Sequence, residues 1–322
     1  MEPERLTSAQ NPKVKRLLAL QEKSSLRRES GLFVVEGRRE LEHCLAAGFE
    51  AEAVFVCPEV MSGTSPEGVR PSGSPHHPFG TVPPLSNRGC YVPQGKCPEP
   101  RGEEGGRVLG GTRPPLSNRG CYVPQGKCHD PQVFELSKAV YEKVAYRGGT
   151  EGVIAEVRAK YPGLEDLKLK ARPLVMVLES VEKPGNLGAV LRSADAAGAD
   201  AVIICDPLTD LYNPNLIRAS IGAVFTVPVV CCTSAEAIAW LKAGGIRILT
   251  AQLQDSAPYY DVDMTCGTAI VMGTEATGLS DAWRRAADAH ILIPMLGRLD
   301  SLNVSVSAAI LLYEAVRQRQ NH

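Results

Sequence analysis

Three segments of this chain carry residue types from which a binding or catalytic site could be built. The first is Glu182–Ala194, EKPGNLGAVLRSA. Arg192 offers a planar, permanently charged fork suited to gripping a phosphate or steadying a developing oxyanion. Asn186 offers both a donor and an acceptor for a hydroxyl. Each also has a plainer role, since asparagine caps helices and a surface arginine is often only solvated. The second segment, Val271–Leu279 (VMGTEATGL), places Glu275 between Gly273 and Gly278. Glycines there allow close backbone approach or positive φ. The carboxylate could fix the loop or cap the next helix. The third, Ile291–Glu314 (ILIPMLGRLDSLNVSVSAAILLYE), runs through a Pro/Gly loop to Ser301-x-Asn303 at the start of a helix. No histidine stands where it would serve as an obvious base. The glycines at 185 and 188 do not fit G-x-G-x-x-G, so a dinucleotide fingerprint is weak.

Such loops need a scaffold. From Pro173 onward apolar runs alternate with amphipathic stretches. Strands are expected at Leu174–Leu178, Ala201–Cys205, Thr226–Val230, Arg247–Ala251, Thr268–Met272 and His290–Ile293, with a last helix over about Asn303–Arg319. Alternating βα units predict a mostly parallel sheet covered on both faces. In the helix after the first strand, Leu187, Val190, Leu191 and Ala194 form a stripe that should face the sheet. Asn186 is expected at or near its N-cap. Gly188, four residues before Arg192, is expected to clear space where the arginine projects.

Residues 1–160 read as a smaller α/β domain. Leu32–Glu36 is an expected strand, followed by a helix to about Ala47 and a strand at Glu52–Cys57. Val133–Tyr146 has helical spacing, and Gly152–Arg158 is another strand. Residues 161–172 form a linker to a domain over 173–322. Within the first domain, residues 61–131 are rich in Pro, Gly and Ser and have no hydrophobic period. They contain PPLSNRGCYVPQGKC twice, at Pro83–Cys97 and Pro114–Cys128. Units this polar cannot bury a shared face, so a disordered insertion is expected. Its four cysteines, Cys90, Cys97, Cys121 and Cys128, are paired across six intervening residues. Zinc sites use two to four, so no metal is expected.

The 322 residues suffice for one large or two medium domains, and a 44% hydrophobic, 22% charged composition is that of a globular protein. No apolar run approaches a membrane span, and the acidic start MEPERLTSAQ leads into no signal-peptide core. A cytoplasmic protein without membrane contact is expected. The net charge of −1 gives no global sign of nucleic-acid binding. Locally, Lys13, Lys15, Arg16, Lys23, Arg27 and Arg28 face only Glu22. That stretch fits a phosphate-binding patch. It fits equally a solvated helix with Val14, Leu17, Leu18 and Leu20 turned inward. Cys44, Cys57, Cys205, Cys231, Cys232 and Cys266 lie in apolar stretches and are expected to be small buried hydrophobes.

Taken together and in this order, the three segments resemble the SpoU (TrmH) family of RNA ribose methyltransferases, within the SPOUT superfamily. The matching residues are Asn186, Gly188 and Arg192, then Gly273, Glu275, Gly278 and Leu279. The third set is Ile293, Pro294, Met295 and Ser301 to Ser305, and Arg218 to Ala223 is similar to a further family segment. The resemblance covers residues 173–319. Ser8–Lys13 (SAQNPK) and Phe33–Gly37 (FVVEG) resemble the small RNA-binding domain attached to many members, which is similar to ribosomal proteins. The 60–131 insertion departs from that pattern.

The resemblance implies a C-terminal SPOUT-type α/β domain with a trefoil knot, rare among folds, preceded by a ribosomal-protein-like α/β domain. It implies a homodimer with active sites shared between subunits. It implies S-adenosyl-L-methionine as cofactor, held around Gly273, Thr274, Ile293, Met295 and Leu302. The expected reaction methylates a ribose 2′-hydroxyl, the group that marks RNA. Ribosomal RNA is the expected substrate, with transfer RNA, or an inactive RNA-binding protein on the same fold, as alternatives. Arg192, Asn186, Glu275, Ser301 and Asn303 are the expected catalytic set. Lys13, Lys15, Arg16, Arg28, Arg38 and Arg218 are the expected RNA contacts. A guanidinium is a very poor base, so Arg192 is expected to hold the target phosphate and 2′-oxygen in line and to stabilise developing charge. Glu275 would fix the second loop, and the remaining polar residues would orient the ribose or the loops.

Overall fold

Asn11 starts the first helix: its side chain accepts from the Lys13 amide, and Pro12 occupies the first turn, where a missing N–H costs nothing. The computed structural model describes residues 3–61, 130–146, 151–274, 277–298 and 301–320. The repeat-containing stretch with its four cysteines, and Glu275, lie outside these residues.

The N-terminal elements are β1 (Glu4–Leu6), α1 (Pro12–Glu22), α2 (Ser24–Ser30), β2 (Leu32–Glu36), α3 (Arg38–Ala46), β3 (Ala51–Val56), α4 (Pro58–Met61), β4 (Gln132–Leu136), α5 (Lys138–Val144) and β5 (Val153–Arg158). They build a mixed sheet in the order β1-β4-β3-β5-β2. Val14, Leu17 and Leu20 of α1 are buried against it, with Leu18 partly so. The helical spacing over Val133–Tyr146 is half wrong: residues 132–136 are a strand, and the helix begins only after Ser137. Phe134 and Leu136 alternate inward, and so short an apolar run satisfies both periods.

The second sheet follows from β6 (Leu174–Glu179), α6 (Pro184–Ala196), β7 (Ala201–Cys205), α7 (Pro214–Ala219), α8 (Ala223–Thr226), β8 (Val229–Cys232), α9 (Ser234–Ala243), β9 (Arg247–Ala251), β10 (Ala257–Pro258), β11 (Thr268–Met272), α10 (Asp281–Ala286), β12 (Ala289–Leu292) and α11 (Val304–Gln320). Its order is β10-β12-β9-β11-β6-β7-β8, and every pairing is parallel. The parallel sheet predicted from the alternation is present. The strand expected at Thr226–Val230 starts later. Gly222, at φ 83°, opens the helical turn α8, and Pro228 without an N–H delays the strand to residue 229. That shift puts Cys231 and Cys232 on an edge strand. Cys44, Cys57 and Cys205 are buried as expected, whereas Cys231 is exposed and Cys232 and Cys266 are half-buried.

All described residues belong to one compact unit. Phe33 and Val35 of β2 and Leu41 and Cys44 of α3 share an apolar core with α6, Leu216 and Phe225. Phe33 stacks on Tyr212 with centroids 4.2 Å apart. Arg27, only 3% exposed, pairs with Asp210 at 2.6 Å and donates to the carbonyls of Leu20 and Gln21. Removing one member of a buried pair strands the other, at a cost of about 3–5 kcal/mol. Arg27→Ala should therefore lower the urea midpoint markedly, and an unchanged midpoint would show that the pair does not hold the two sheets together.

Candidate active site

The loop after β11 closes on itself. Thr274 and Gly278 form an antiparallel bridge, with N–H to oxygen distances of 3.3 and 3.1 Å. The Thr274 hydroxyl accepts from the Thr277 amide at 3.0 Å. Gly278 sits at φ 68°, in the left-handed region. A Cβ on Gly273 would lie 2.2 Å from the Gly278 oxygen, so only glycine lets the strand end pass beneath the loop.

The loop after β12 runs beside it. Ile293 packs partly against the main core. Asn303 caps α11: its side-chain oxygen accepts from the Ser305 amide at 2.9 Å and from the Ser305 hydroxyl at 2.6 Å. Its amide nitrogen donates to the side-chain oxygen of Asn186 at 3.1 Å. That bond ties the third segment to the first turn of α6. Asn186 is the third residue of α6 rather than its cap, because Pro184 starts the helix and Lys183 stands at the cap.

Between these loops lies a cavity of about 350 Å³. Gly273, Thr274, Ile293, Met295, Ser301 and Leu302 all line it. The five residues expected to hold a cofactor thus meet at one place, joined by one of the expected catalytic residues. Ala251 at the end of β9, residues 252–254 beyond it and Arg284 of α10 also line the wall. Sequence reasoning missed these. For residues 252–254 the only signal was their position just beyond a strand end, where parallel α/β sheets bind ligands, and Arg284, inside α10, carried none.

Arg192 does not line the cavity. It stands exposed on α6 and has no hydrogen bond or ion pair among the described residues. Gly188 does not make room for it. That glycine is buried beneath α7, where a Cβ would meet Ala219 Cβ at 2.6 Å and the Ser220 nitrogen at 2.8 Å. It allows two helices to pack closely.

The expected RNA contacts divide into two kinds. Lys15 and Arg28 are exposed and unpaired among the described residues. Lys13 pairs with Glu4 at 2.5 Å, Arg38 with Glu42 at 2.9 Å, and Arg218 lies over the Tyr146 ring at 5.5 Å. Arg16 is the counter-ion of Glu156, a fully buried carboxylate of β5. Burial pushes that carboxyl above its usual range, and Arg16 opposes the shift.

Known proteins resemble this chain in sequence and fold. The profile of the SpoU rRNA Methylase family matches residues 173–313, and that of the MRM3-like substrate binding domain matches residues 11–72. The 23S rRNA (guanosine-2′-O-)-methyltransferase RlmB of Vibrio vulnificus is 38% identical over 191 residues, covering 58% of this chain and 77% of that protein. A crystal structure of an RNA 2′-O ribose methyltransferase is 34% identical, with a TM-score of 0.69 over 98% of this chain and 99% of the other. The AdoMet-bound rRNA methyltransferase of Sinorhizobium meliloti, 24% identical, has the same fold at a TM-score of 0.72 over 98% of this chain and 97% of that one. With the described parts of the three segments following strand ends of one parallel sheet, and with likeness running through both halves of the chain, the protein belongs to the SpoU family of RNA methylases.

Proposed function

We propose that the chain transfers a methyl group from S-adenosyl-L-methionine to a ribose 2′-hydroxyl of ribosomal RNA. The observation that carries this is the meeting of Gly273, Thr274, Ile293, Met295 and Leu302 on one cavity, bound through Asn303 to Asn186. The cavity suits the cofactor. Its volume lies at the lower end of the small-ligand range, and Gly273 leaves no side chain between the strand end and the loop. When bound, the cofactor supplies a methyl group on a positively charged sulfur, an already good leaving group.

The residues of the chain do the rest. Gly273, Thr274, Ile293, Met295 and Leu302, which line the cavity, would hold the cofactor. Arg192 grips the target phosphate and the 2′-oxygen and balances the negative charge that develops on that oxygen. Asn186, Ser301 and Asn303 set the ribose and the loop. Orientation of this kind supplies a large share of the barrier reduction.

Arg192 stands off the cavity of its own chain, which supports a homodimer in which one subunit completes the other's site. Val306 and Tyr313, two turns apart on α11, present an exposed apolar stripe for that contact, 48% and 50% exposed. The place of β12 between β9 and β10 and the packing of α11 on α6 support a knotted C-terminal segment. Residues 1–160 serve as the RNA-binding domain and 173–322 as the methyltransferase domain, in a cytoplasmic enzyme. Lys15 and Arg28 supply phosphate contacts first. Lys13, Arg16, Arg38 and Arg218 join only if they give up or share present partners. No helix among the described residues is long and apolar enough to cross a membrane.

S-adenosylhomocysteine at a hundredfold excess over its Kd should stabilise the protein by about 2.7 kcal/mol, a rise of several degrees in Tm. NAD should give none. A shift with NAD and none with S-adenosylhomocysteine would replace this proposal with a nucleotide-dependent redox enzyme.

A further inference from the structure

Among the described residues lining the cavity, Arg284 alone carries a charge. Its Nε is shielded from solvent and has no hydrogen-bond partner. The same is true of Oε1 of Gln252, on the same cavity. Buried polar atoms are nearly always satisfied, so two orphans on one ligand cavity, one a cationic donor and one an acceptor, call for a ligand that carries both complements.

The geometry fixes their character. The Gln252 amide nitrogen donates to the Gln254 carbonyl at 2.9 Å, which orients the amide and leaves Oε1 as a pure acceptor. Arg284 Nη1 donates to the side-chain oxygen of Gln254 at 3.4 Å. Arg284 Nη2 lies 4.0 Å from where a Cβ on Gly278 would stand, so the guanidinium abuts the loop after β11. Gln252, Gln254 and Arg284 thus form one connected edge of the cavity, reached from the end of β9 and from α10.

We infer that this edge is a subsite for the zwitterionic α-amino acid end of the cofactor, with Arg284 taking the carboxylate and Gln252 Oε1 the ammonium. The inference rests on the cavity being the cofactor site. A guanidinium and an amide oxygen match an α-carboxylate and an α-ammonium in sign and hydrogen-bonding capacity. The adenosyl end needs neither. The subsite would make affinity depend on the amino acid tail, so that tail-less adenosyl compounds are rejected.

Calorimetric titration of the full chain with S-adenosylhomocysteine and with 5′-methylthioadenosine, which lacks the tail, tests this. Wild type should bind the first at least tenfold more tightly. Arg284→Met should weaken S-adenosylhomocysteine about 10- to 100-fold, as expected for loss of a charge-assisted bond. It should leave 5′-methylthioadenosine within twofold. Gln252→Leu should show the same selectivity to a smaller degree, and Arg284→Lys should recover part of the loss. Equal weakening of both ligands, or no weakening of either, would overturn the subsite while leaving the cofactor site in place. Failure of wild type to bind either ligand would overturn the cofactor site and the subsite with it.

Discussion

Arg192→Ala is expected to lower methyl transfer by about 10²–10³-fold, the usual cost of removing one donor aimed at developing charge. S-adenosylhomocysteine affinity should stay within twofold of wild type. The asymmetry follows from position. Arg192 is exposed on α6 and off the cavity wall, so its loss removes nothing that holds the cofactor. It has no partner among the described residues, so its loss also leaves no stranded group, and stability should be unchanged. Arg192→Lys keeps the charge but loses the planar fork, and should recover only part of the activity. Single-turnover rates with saturating cofactor and RNA measure this directly. Near-normal turnover by the lysine variant would show that charge alone suffices.

Gly273→Ala should act at the opposite step. Its Cβ would fall 2.2 Å from the Gly278 oxygen and 2.6 Å from the Leu279 nitrogen. Both are backbone atoms of a loop already closed by the Thr274–Gly278 bridge, so no flexible side chain can swing aside. The bridge must open or the strand end must shift. Overpacking of this kind costs about 1–3 kcal/mol of stability, and where the free loop opens to relieve it the cofactor must close it again, so affinity falls by up to about 150-fold. Titration with S-adenosylhomocysteine should show that loss. Affinity equal to wild type would mean that the loop does not shape the site.

Much of this was legible from residue order. Parallel strands buried on both faces read as unbroken apolar runs. Residues 174–178, 201–205, 247–251 and 268–272 were therefore placed within a residue of their observed bounds. The cavity loops were legible only through the likeness of their motifs to the family, although Gly273 and Ile293 directly follow strand ends and Leu302 stands just before α11. Two elements were misread because their apolar runs are short. Gln132–Leu136 fits both periods, and the strand near 226 is displaced by Gly222 and Pro228. Partnerships across the sheet were not legible. Gln252 and Arg284 look like ordinary surface residues until β9 is set beside β11 and α10 falls against the end of β9. Arg16 and Arg27 looked like members of one basic patch. They prove to be counter-ions for Glu156 and Asp210, 140 and 183 residues away.

The most direct test of methyl transfer to ribose is incubation of the full chain with radiolabelled S-adenosylmethionine and either total RNA or ribosomal subunits, followed by nucleoside analysis. Label should appear in a 2′-O-methyl nucleoside of ribosomal RNA and should fall at least a hundredfold with Arg192→Ala. Label on a base, or none in any RNA fraction while the protein demonstrably binds cofactor, would contradict ribose methylation by this site.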